Sequence, residues 1–366
     1  MTAIPTFVQV LGAEDRVRAR GLWCQLERQL EGGGLTCSWD WTHIWLEHFG
    51  DLVPHDFVVV SDANEPVAAA LLTRGLARRR RAIPLRTLHV GTAGEPHGDS
   101  IYVENNRLLV VPHMRDAAVR AIVAKVHTDN SWDEFWLNGF APEDARAFLG
   151  ADPSLVARWE PCPTVDLRAA NERGGDVLSI LTSNTRYQIR RSIRAFGQVE
   201  GEWAESVDQA LDILDELIVL HQKRWREVGQ PGAFASERFT EFHRSLVKRL
   251  FPQGAILLYR VRSQRETIGC LYSLIEHGNV LSYQIGLSRF EDNKLKPGFV
   301  AHALCMQDSY DRGFADYNFL ADASPWKREL ATTERQLAWA TATRKRVKVA
   351  VANALGAGAR LVRRGG

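Results

Sequence analysis

The alternation of apolar and polar positions is clearest in residues 254–327. Three segments are apolar, β-branched and partly alternating, which predicts strands over 254–262, 267–276 and 280–288. The breaks between them are short and polar, so we expect an antiparallel meander. A helix that begins at Pro297-Gly298 and ends before Gly313 follows, and then a strand over 315–320.

This β-β-β-α-β order brings the end of a strand next to the N-terminus of a helix. The first backbone N–H groups of a helix have no acceptor within it, so they can bind the pyrophosphate of an acyl-CoA. Pro297 suits the first helical turn, and Gly298 leaves the neighbouring amides uncovered. Lys294 and Lys296 are placed to contact phosphates. We interpret the turn before Phe299 as a candidate ligand-binding turn.

The first half of the chain has a similar order of elements. Helical periods occupy 14–29 and 39–49, strand patterns follow at 57–61, 67–75 and 85–90, and a helix at 115–127 precedes a strand at 134–137. The repetition predicts a duplicated unit. Prolines interrupt residues 141–163, which places a boundary there. We predict an N-terminal domain over 1–150, a linker over 151–180, a second domain over 181–343 and a basic helix or tail over 344–366.

Two helices are predicted early in the second half. Thr182 or Ser183 is placed to cap the first, which ends at Gly197, and the second has a clear 3.6-residue apolar period over 207–227. After the final strand of the meander unit, residues 336–343 alternate enough to form another strand. Residues 345–364 then have an amphipathic helical period, which fits either packing on the second domain or contact with a membrane surface.

Composition favours a globular protein with two cores. The chain has 366 residues, of which 45% are apolar and 25% charged. No apolar run reaches the roughly 18 residues of a membrane-spanning helix, and the start of the chain lacks a signal-peptide pattern, so we expect the cytoplasm. The five cysteines lack metal-ligand spacing and are expected to be reduced. The sequence leaves the oligomeric state open.

Charge is distributed unevenly along the chain. Residues 1–150 carry 15 basic and 19 acidic side chains, whereas residues 151–366 carry 31 and 25. A basic second half suits an anionic ligand. Arg186, Arg190 and Arg194 lie at helical i, i+4 spacing, so their guanidinium groups form one row that could bind phosphate or carboxylate, or face solvent.

Several side chains are candidates for acid–base chemistry. His221 and Trp225 share a helix face near a C-terminus, where the helix dipole should raise the pKa of the histidine. Tyr283 is expected on the same strand face as Ile285 and Leu287, with Gly286 on the other. A glycine inside a strand marks either a close approach of a ligand or a bulge.

The loop that follows the last strand of the meander unit carries Asp322, Trp326 and Lys327. The aspartate could take a proton and the lysine could stabilise a developing negative charge, although both also suit a surface loop. In the first half, Glu95, His97 and Asp99 form a polar loop. It fits the lining of an acceptor cleft better than a metal site, which would need further ligands.

Taken together, these features resemble the CelD-like acetyltransferases of the GNAT superfamily, which are linked to bacterial exopolysaccharide production. The residues that carry the resemblance are Arg186-Tyr187, Arg190-Arg191, His221, Arg224-Trp225, Gly229, Phe239, Phe242-His243, Gly254, Tyr283, Gly286, Pro297-Gly298, Gly313, Asn318-Phe319 and Trp326-Lys327. The resemblance covers about 180–330. It implies an α+β (mixed α/β) fold of tandem GNAT-like domains, each a mostly antiparallel twisted sheet flanked by helices, as in the Fem aminoacyltransferases.

Two features depart from the superfamily pattern. The pyrophosphate signature would place Leu295 and Val300 at its first and last positions, and only Gly298 fits. The helix that carries the superfamily's general-acid tyrosine is not expected, because residues 323–325 (Ala-Ser-Pro) interrupt that position.

The leading hypothesis is an acyl-CoA-dependent N- or O-acyltransferase without a metal, acting on a sugar, amino-acid or peptide acceptor, with acetyl-CoA or another acyl-CoA as donor. The thioester would lie along 282–288, past Gln284, Ile285, Gly286 and Leu287. His221 or Asp322 would be the base, Tyr283 or Lys327 the acid or stabiliser, and Arg186, Arg190, Trp225 and Trp326 would contact substrate. There are two alternatives. The first is a Fem-like transferase that uses aminoacyl-tRNA, and only under this hypothesis would nucleic acid be a partner. The second is a non-catalytic binding protein.

Overall fold

The computed structural model describes residues 7–30, 33–79, 83–264 and 266–352. The chain divides into two compact units. Unit 1 consists of residues 1–159 and 337–366, and unit 2 consists of residues 160–336. None of the helices within these described stretches combines the length and apolar character that a membrane crossing needs.

Unit 1 contains an antiparallel meander with helices packed on it. In chain order its elements are β1 (Phe7–Leu11), α1 (Arg16–Gln29), α2 (Trp39–Phe49), β2 (His55–Asp62), β3 (Glu65–Arg79), β4 (Ile83–Val90), β5 (Leu109–Val110), α3 (Arg115–Thr128), β6 (Glu134–Phe140), α4 (Pro142–Ala151) and the first part of β7 (Val156–Asp166). One buried apolar cluster of this unit joins α3 and α4 to strands β2, β3, β4 and β6.

Unit 2 repeats the plan. It begins in β7 and continues through α5 (Ser183–Phe196), β8 (Val199–Trp203), α6 (Val207–Glu227), α7 (Glu237–Leu250), β9 (Ile256–Ser263), β10 (Glu266–Glu276), β11 (Asn279–Leu287), α8 (Pro297–Asp311), β12 (Asp316–Asn318), α9 (Pro325–Leu330) and the first residues of β13 (Thr333–Thr343). Its core packs α5 and α8 against strands β9 to β12.

The two units share one topological motif. In unit 1, β2, β3 and β4 form an antiparallel meander, and after α3 the strand β6 pairs with β4 in parallel. In unit 2, β9, β10 and β11 form the meander, and after α8 the strand β12 pairs with β11 in parallel. The predicted duplication and the mixed α/β fold are therefore confirmed.

The division between the units differs from the predicted domain limits. Residues 338–343 of β13 pair with β6, so this late segment completes the sheet of unit 1 rather than closing the second domain. The prolines of 141–163 do not mark an irregular linker. Pro142 is the first residue of α4, where a missing N–H costs nothing, and β7 runs through Pro161 and Pro163.

The basic segment after β13 is partly neutralised by a buried acidic residue. Arg346 and Lys348 both form ion pairs with Asp133, which is fully buried in unit 1. The chain is helical over 347–352, and the remainder of the predicted C-terminal helix lies outside the described residues. The face that looked uniformly basic in sequence therefore has an acidic partner, which favours packing over a free cationic surface.

Strand β11 contains a bulge that changes which way its side chains point. Tyr272 of β10 faces Gln284 and Ser273 faces Ser282, so Tyr283 is the additional residue. Its ring packs on His243 of α7, and a Cβ on Gly286 would lie 2.5 Å from the Leu217 carbonyl oxygen of α6. Tyr283 and Gly286 therefore share one side, and the predicted pairing of Tyr283 with Ile285 was wrong.

A buried guanidinium group joins α6 to strands β8 and β9. Arg260 is 4% exposed. Its Nε and Nη2 atoms each donate to Glu202 at 2.8 Å, and Nη1 donates to Asp212 at 2.7 Å and Glu216 at 3.0 Å. Since the bonds to Arg260 outweigh the effect of burial, the pKa of Glu202 falls to about 2. The Gly286 contact is made by Leu217, the residue next to Glu216 in α6.

Substituting Gly286 by alanine should destabilise unit 2 by about 2–3 kcal/mol, because the new methyl group meets the Leu217 backbone rather than a movable side chain. Thermal and denaturant unfolding measure the loss. Gly21→Ala is the control: it lies inside α1 with no atom within 4 Å of the added Cβ, and should stabilise the protein slightly. A cost below about 0.5 kcal/mol for Gly286→Ala would contradict the close approach.

Glu202→Gln should cost about 2 kcal/mol of unfolding free energy at pH 7, because it removes a charged acceptor from Arg260. The pKa of Glu202 is depressed in the folded state, so its contribution is present above the unfolded value near 4.5 and is lost as the pH falls toward 2. The difference between wild type and variant should therefore shrink over that range in denaturant titrations. Glu200→Gln, an exposed position on β8, should show little difference at any pH; a gap that stays constant with pH would refute the assignment.

Candidate functional site

The candidate site lies where two parallel strands separate. β11 and β12 pair at only three positions, the last of which joins Leu281 to Asn318. Beyond it β11 continues to Leu287, whereas β12 ends. The edge of β11 that faces β12 therefore loses its strand partner at Leu281, and the backbone groups along this edge are positioned to bind an extended ligand.

The chain turns sharply away as β12 ends. The side chain of Asn318 accepts a hydrogen bond from the Leu320 amide at 2.7 Å. Leu320 has a φ of 58° and Asp322 a φ of 72°, the left-handed region that bulky residues rarely occupy. Such strain persists only where the surroundings impose it, and it is enriched at functional sites. The exposed Asp322 carboxylate lies on this strained segment.

The N-terminus of α8 is uncapped. Lys296 precedes the helix without a capping side chain, and Pro297 has no N–H to satisfy. Within the described part of the chain, the amides of Gly298 and Phe299 have no acceptor. A Cβ on Gly298 would lie 3.1 Å from Leu287, so this first turn sits beside the end of β11. The sequence anticipated this arrangement.

Helix α5 holds the turn that leads into α8. The Lys296 amide donates to the Ser192 hydroxyl at 2.8 Å, and the Lys296 ammonium group bonds to Gln188 one helical turn earlier. Arg191 lies on the same stretch of α5, and its buried Nε has no hydrogen-bond partner among the described residues. Lys294 is exposed in the preceding turn. Lys296 Nζ lies 4.9 Å from the centroid of the Phe299 ring, so it is the cation that the structure places at the first turn of α8. The Arg191 guanidinium group lies over the Tyr187 ring of α5.

The predicted row of arginines on α5 is only partly available. Arg186 donates to the backbone carbonyls of Ser179 and Leu181, at 3.0 and 3.3 Å, so its guanidinium group fixes the segment before the helix. Arg190 is exposed and pairs with Asp176 at 3.5 Å. Thr182 caps the helix as predicted, accepting from the Thr185 amide.

A chain of hydrogen bonds leads from the interior to the β11 bulge. The Tyr272 hydroxyl lies 3.2 Å from His243 Nδ1, and the Tyr283 hydroxyl lies 3.3 Å from His243 Nε2. Tyr272 and His243 are fully buried, and Tyr283 is half-buried. Burial raises the pKa of Tyr272 well above its ordinary value. The sequence pointed to Tyr283 but gave no role to its two partners.

Both ring nitrogens of His221 have hydrogen-bond partners. Its Nε2 accepts from the Trp225 indole at 2.8 Å, and Nδ1 bonds to Gln222 at 3.1 Å. Gln222 in turn donates to the Pro231 carbonyl, so the group secures the α6–α7 connection. Burial lowers the pKa of His221. The prediction that the helix terminus raises it was wrong, because desolvation of the ring outweighs the helix dipole.

The segment after β12 packs around another buried histidine. His302 of α8 bonds to the Tyr317 hydroxyl at 2.9 Å and stacks on Trp326. Burial, with a smaller contribution from Lys327, lowers the pKa of His302 to about 3. The Lys327 ammonium group donates to the Ala321 carbonyl at 2.6 Å. Trp326 therefore braces the loop, and α9 does follow β12, where the sequence predicted an interruption.

Three signals were missed or only partly interpreted at sequence level. Ser192 and Arg191 lie at i+4 and i+3 from Gln188, so their shared face could have been recognised. The contact of Tyr272 with His243 joins residues 29 positions apart and has no local signature. Two residues that were predicted on one face of β11 have different surroundings: Ile285 packs into the unit 2 core, and Leu287 lies beside the first turn of α8.

In unit 1, the predicted polar loop has an aromatic partner. Trp45 of α2 donates to Glu95 at 2.5 Å, and burial raises the pKa of Glu95 to about 7. Tyr102 bonds to His97 at 3.1 Å. Among the described residues, no group of three metal-ligating side chains comes together, here or elsewhere. The role of this loop as an acceptor lining stays a prediction.

Comparisons with known proteins agree with this geometry. Residues 183–328 match the family model described as an acetyltransferase (GNAT) domain. A search of curated proteins gave no match. Among solved structures, FemX has a TM-score of 0.54 at 8% identity, covering 91% of this chain and 96% of its own.

Two further solved structures have the same fold. One is the C-terminal domain of a putative lysylphosphatidylglycerol synthetase from Agrobacterium fabrum, with a TM-score of 0.51 at 13% identity, covering 78% of this chain and 85% of its own. The other is L-PGS from Bacillus licheniformis, with a TM-score of 0.51 at 10% identity, covering 90% of this chain and 95% of its own. Residues 183–328 of this chain, which match the GNAT acetyltransferase domain model, also hold the separating strands and the uncapped helix.

Proposed function

We propose that the protein is an acyl-CoA-dependent N- or O-acyltransferase that uses acetyl-CoA or another acyl-CoA as its donor. The observation that carries the proposal is the opening between β11 and β12 beside the uncapped N-terminus of α8. An extended thioester chain and a pyrophosphate need those two features side by side. The match of residues 183–328 to a GNAT domain supports the same donor.

The residues around α8 fit a pyrophosphate. The Gly298 and Phe299 amides and the helix dipole favour negative charge, and Lys296 lies over the Phe299 ring of the same turn. Lys294, two residues earlier, and Arg191, next to Ser192 on α5, would supply further cations. Lys296 is held in place by its bonds to α5. The pantetheine chain would extend from this turn along Leu287, Ile285 and Gln284 toward the bulge.

The reaction would be a direct transfer. The acceptor's amine or hydroxyl attacks the thioester carbonyl carbon, the C–S bond breaks, the acceptor loses its proton to a base, and the thiolate gains one. A backbone N–H on the β11 edge would stabilise the oxyanion by about 3 kcal/mol. Cysteines have no role, since those of unit 2 are buried.

The two candidate bases differ in how accessible their proton-accepting atoms are. Both ring nitrogens of His221 are engaged, and Trp225 donates to the one that would have to accept a proton. Asp322 is exposed on the strained segment after β12 and is the better candidate. Lys327 is tied to the Ala321 carbonyl, so it supports that segment.

The acceptor class rests on the family resemblance. A sugar or amino acceptor from cytoplasmic polysaccharide or cell-envelope precursor metabolism fits that resemblance.

The aminoacyl-tRNA alternative has less support, because the Arg186 guanidinium group, which was expected to contact the nucleic acid, donates to backbone carbonyls instead.

Acetyl-CoA should raise the unfolding temperature. A ligand at about 100 times its dissociation constant adds about 2.7 kcal/mol to stability, which is a rise of several degrees in at least one transition. The measurement is thermal unfolding with acetyl-CoA, CoA and ATP. A rise with the CoA species that exceeds the rise with ATP supports the proposal. No rise at millimolar acetyl-CoA would contradict it and make charged tRNA the next ligand to test.

Two substitutions of Gly298 distinguish the effect of an added charge on acetyl-CoA binding from the effect of an added side chain of the same size. Gly298→Asp and Gly298→Asn add side chains of equal size against Leu287. The aspartate places a negative charge where we expect the pyrophosphate, so it should weaken acetyl-CoA binding at least tenfold relative to the asparagine variant. Isothermal titration calorimetry measures both. Equal affinities for the two variants would place the phosphates elsewhere.

Neighbouring arginines on α5 provide a matched pair. Arg191→Gln should weaken acetyl-CoA binding about fivefold to tenfold and reduce its dependence on salt, because it removes a cation beside α8. Arg190→Gln removes an equal charge that already pairs with Asp176, and should change the affinity by less than about twofold. Titrations at two salt concentrations measure this, and the reverse order would exclude Arg191 from the site.

A further inference from the structure

We propose that unit 1 contains a binding site for a ligand with a primary ammonium group, and that the Glu95 carboxylate is the group that binds it. The site lies in the loop between β4 and β5, within unit 1, so its existence does not depend on the function proposed above. Only one further step rests on that function: if this ligand is the acceptor, the acyl group is transferred to nitrogen rather than to oxygen.

The loop that carries Glu95 is fastened to the sheet just before the glutamate. The Thr73 hydroxyl of β3 donates to the Gly91 carbonyl at 3.1 Å. A Cβ on Gly75 would lie 2.8 Å from the Cα atom of Gly94, so the loop and β3 touch backbone to backbone. Glu95 therefore leaves the sheet from a fixed position.

Helix α2 orients the Glu95 carboxyl group. The Trp45 indole donates to Glu95 Oε1 at 2.5 Å. One helical turn earlier, the Trp41 indole donates to the Thr92 hydroxyl at 2.9 Å, and both indole rings are fully buried. The Glu95 amide also donates to its own carboxyl group. These donors are neutral, so they hold a carboxylate in place without compensating its charge, and they leave some of its lone pairs for a ligand.

No basic side chain in the described part of unit 1 supplies the missing positive charge. The charged neighbour that affects the pKa of Glu95 is Asp99, which repels the carboxylate. Arg74, on the adjoining stretch of β3, already pairs with Asp56 at 2.6 Å and with Asp129 at 3.1 Å. The ionised glutamate therefore has donors but no counter-ion.

The Glu95 carboxyl group is enclosed but still reachable from solvent. Desolvation raises its pKa to about 7, against the lowering effect of its two hydrogen bonds, although the residue as a whole is only half-buried. The folded protein holds this proton more tightly than the unfolded chain, so stability falls as the pH rises from the ordinary value of 4.5 toward 7. Ionised Glu95 is thus costly in the free protein, and a bound cation would remove that cost.

An exposed aromatic ring lies beside the carboxyl group. Tyr102 is 61% exposed, and burial followed by the Glu95 charge raises the pKa of its hydroxyl, so the two groups are neighbours. The hydroxyl lies 3.1 Å from His97 Nδ1, and the two rings pack edge to face. An ammonium group suits this setting because it donates several hydrogens, carries the missing charge and is attracted to aromatic rings. A hydroxyl group would leave the charge uncompensated.

Binding of small amines to the whole protein, without acetyl-CoA, tests the site. The probes are ethanolamine, 6-amino-6-deoxyglucose and lysine, and the neutral analogues of the first two are ethylene glycol and glucose. The readout is the indole N–H NMR signal of Trp45, assigned by its loss in Trp45→Phe. At about pH 8, where Glu95 is ionised and the amines are protonated, amines should shift this signal saturably and bind at least about tenfold more tightly than the neutral analogues.

Two substitutions identify the carboxylate. Glu95→Gln keeps an acceptor for the Trp45 indole but removes the charge, so amine affinity should fall at least about tenfold and lose its pH dependence. In the wild type, amine affinity should fall about tenfold for each pH unit below 7, because protons compete for Glu95. Glu47→Gln removes an equal charge from an exposed position of α2 that pairs with His43, and should change the affinity by less than about twofold.

Unfolding distinguishes a binding carboxylate from a structural one. Glu95→Gln should raise the unfolding temperature at about pH 8, where the wild type carries the uncompensated charge, and the gain should shrink as the pH falls toward 4.5. A structural carboxylate would give the opposite result, a less stable variant at pH 8, and that result would contradict the proposal without any ligand.

The outcomes for this site and for the proposed function are separate. If no amine shifts the Trp45 signal, if the neutral analogues bind equally well, or if Glu95→Gln binds the amines as the wild type does, the ammonium site is refuted whether or not acetyl-CoA binds. If the amines bind as expected but acetyl-CoA does not, the site stands and the proposed function fails. If both bind, acetylation of ethanolamine on oxygen alone would exclude this ligand as the acceptor.

Discussion

The candidate site depends on how short the pairing between β11 and β12 is. Three residue pairs hold the strands together, and Tyr317, fully buried beneath α8, anchors the short partner through its bond to His302. The turn at Asn318 then directs the chain away. If the pairing were longer, the edge of β11 would be covered by a strand. Because it stops, the same sheet that forms the core of unit 2 offers an open backbone edge.

The order of elements could be predicted because each carries a strong local signal. The meander, α8 and the parallel return strand were recognised from alternation, from Pro297 and from the 3.6-residue period. The boundary of unit 1 could not be predicted, because residues 338–343, from the far end of the chain, complete its sheet. Strand patterns define the strand and not its partner, and only the tertiary pairing assigns β13 to β6.

The candidate site was predictable only where sequence neighbours form it. The turn around Gly298 depends on adjacent residues, so its uncapped amides were expected. The side on which Tyr283 lies was not, because one additional residue in β11 reverses the alternation, and a bulge depends on the register with β10. The pKa of His221 was predicted in the wrong direction because the helix dipole is visible in sequence, whereas burial is a property of the assembled α6–α7 layer.

The late arrival of β13 has a consequence for synthesis. Unit 1 begins near the start of the chain, yet its sheet takes residues 338–343, and its buried Asp133 obtains two of its cationic partners from Arg346 and Lys348. During translation the edge of β6 and this carboxylate must wait while all of unit 2 leaves the ribosome. Unit 2, which is continuous over 160–336, can finish first. The unit that is synthesised first is therefore the last to be completed. Until β13 pairs with it, the edge of β6 stays exposed, and chaperones would have to protect the incomplete sheet.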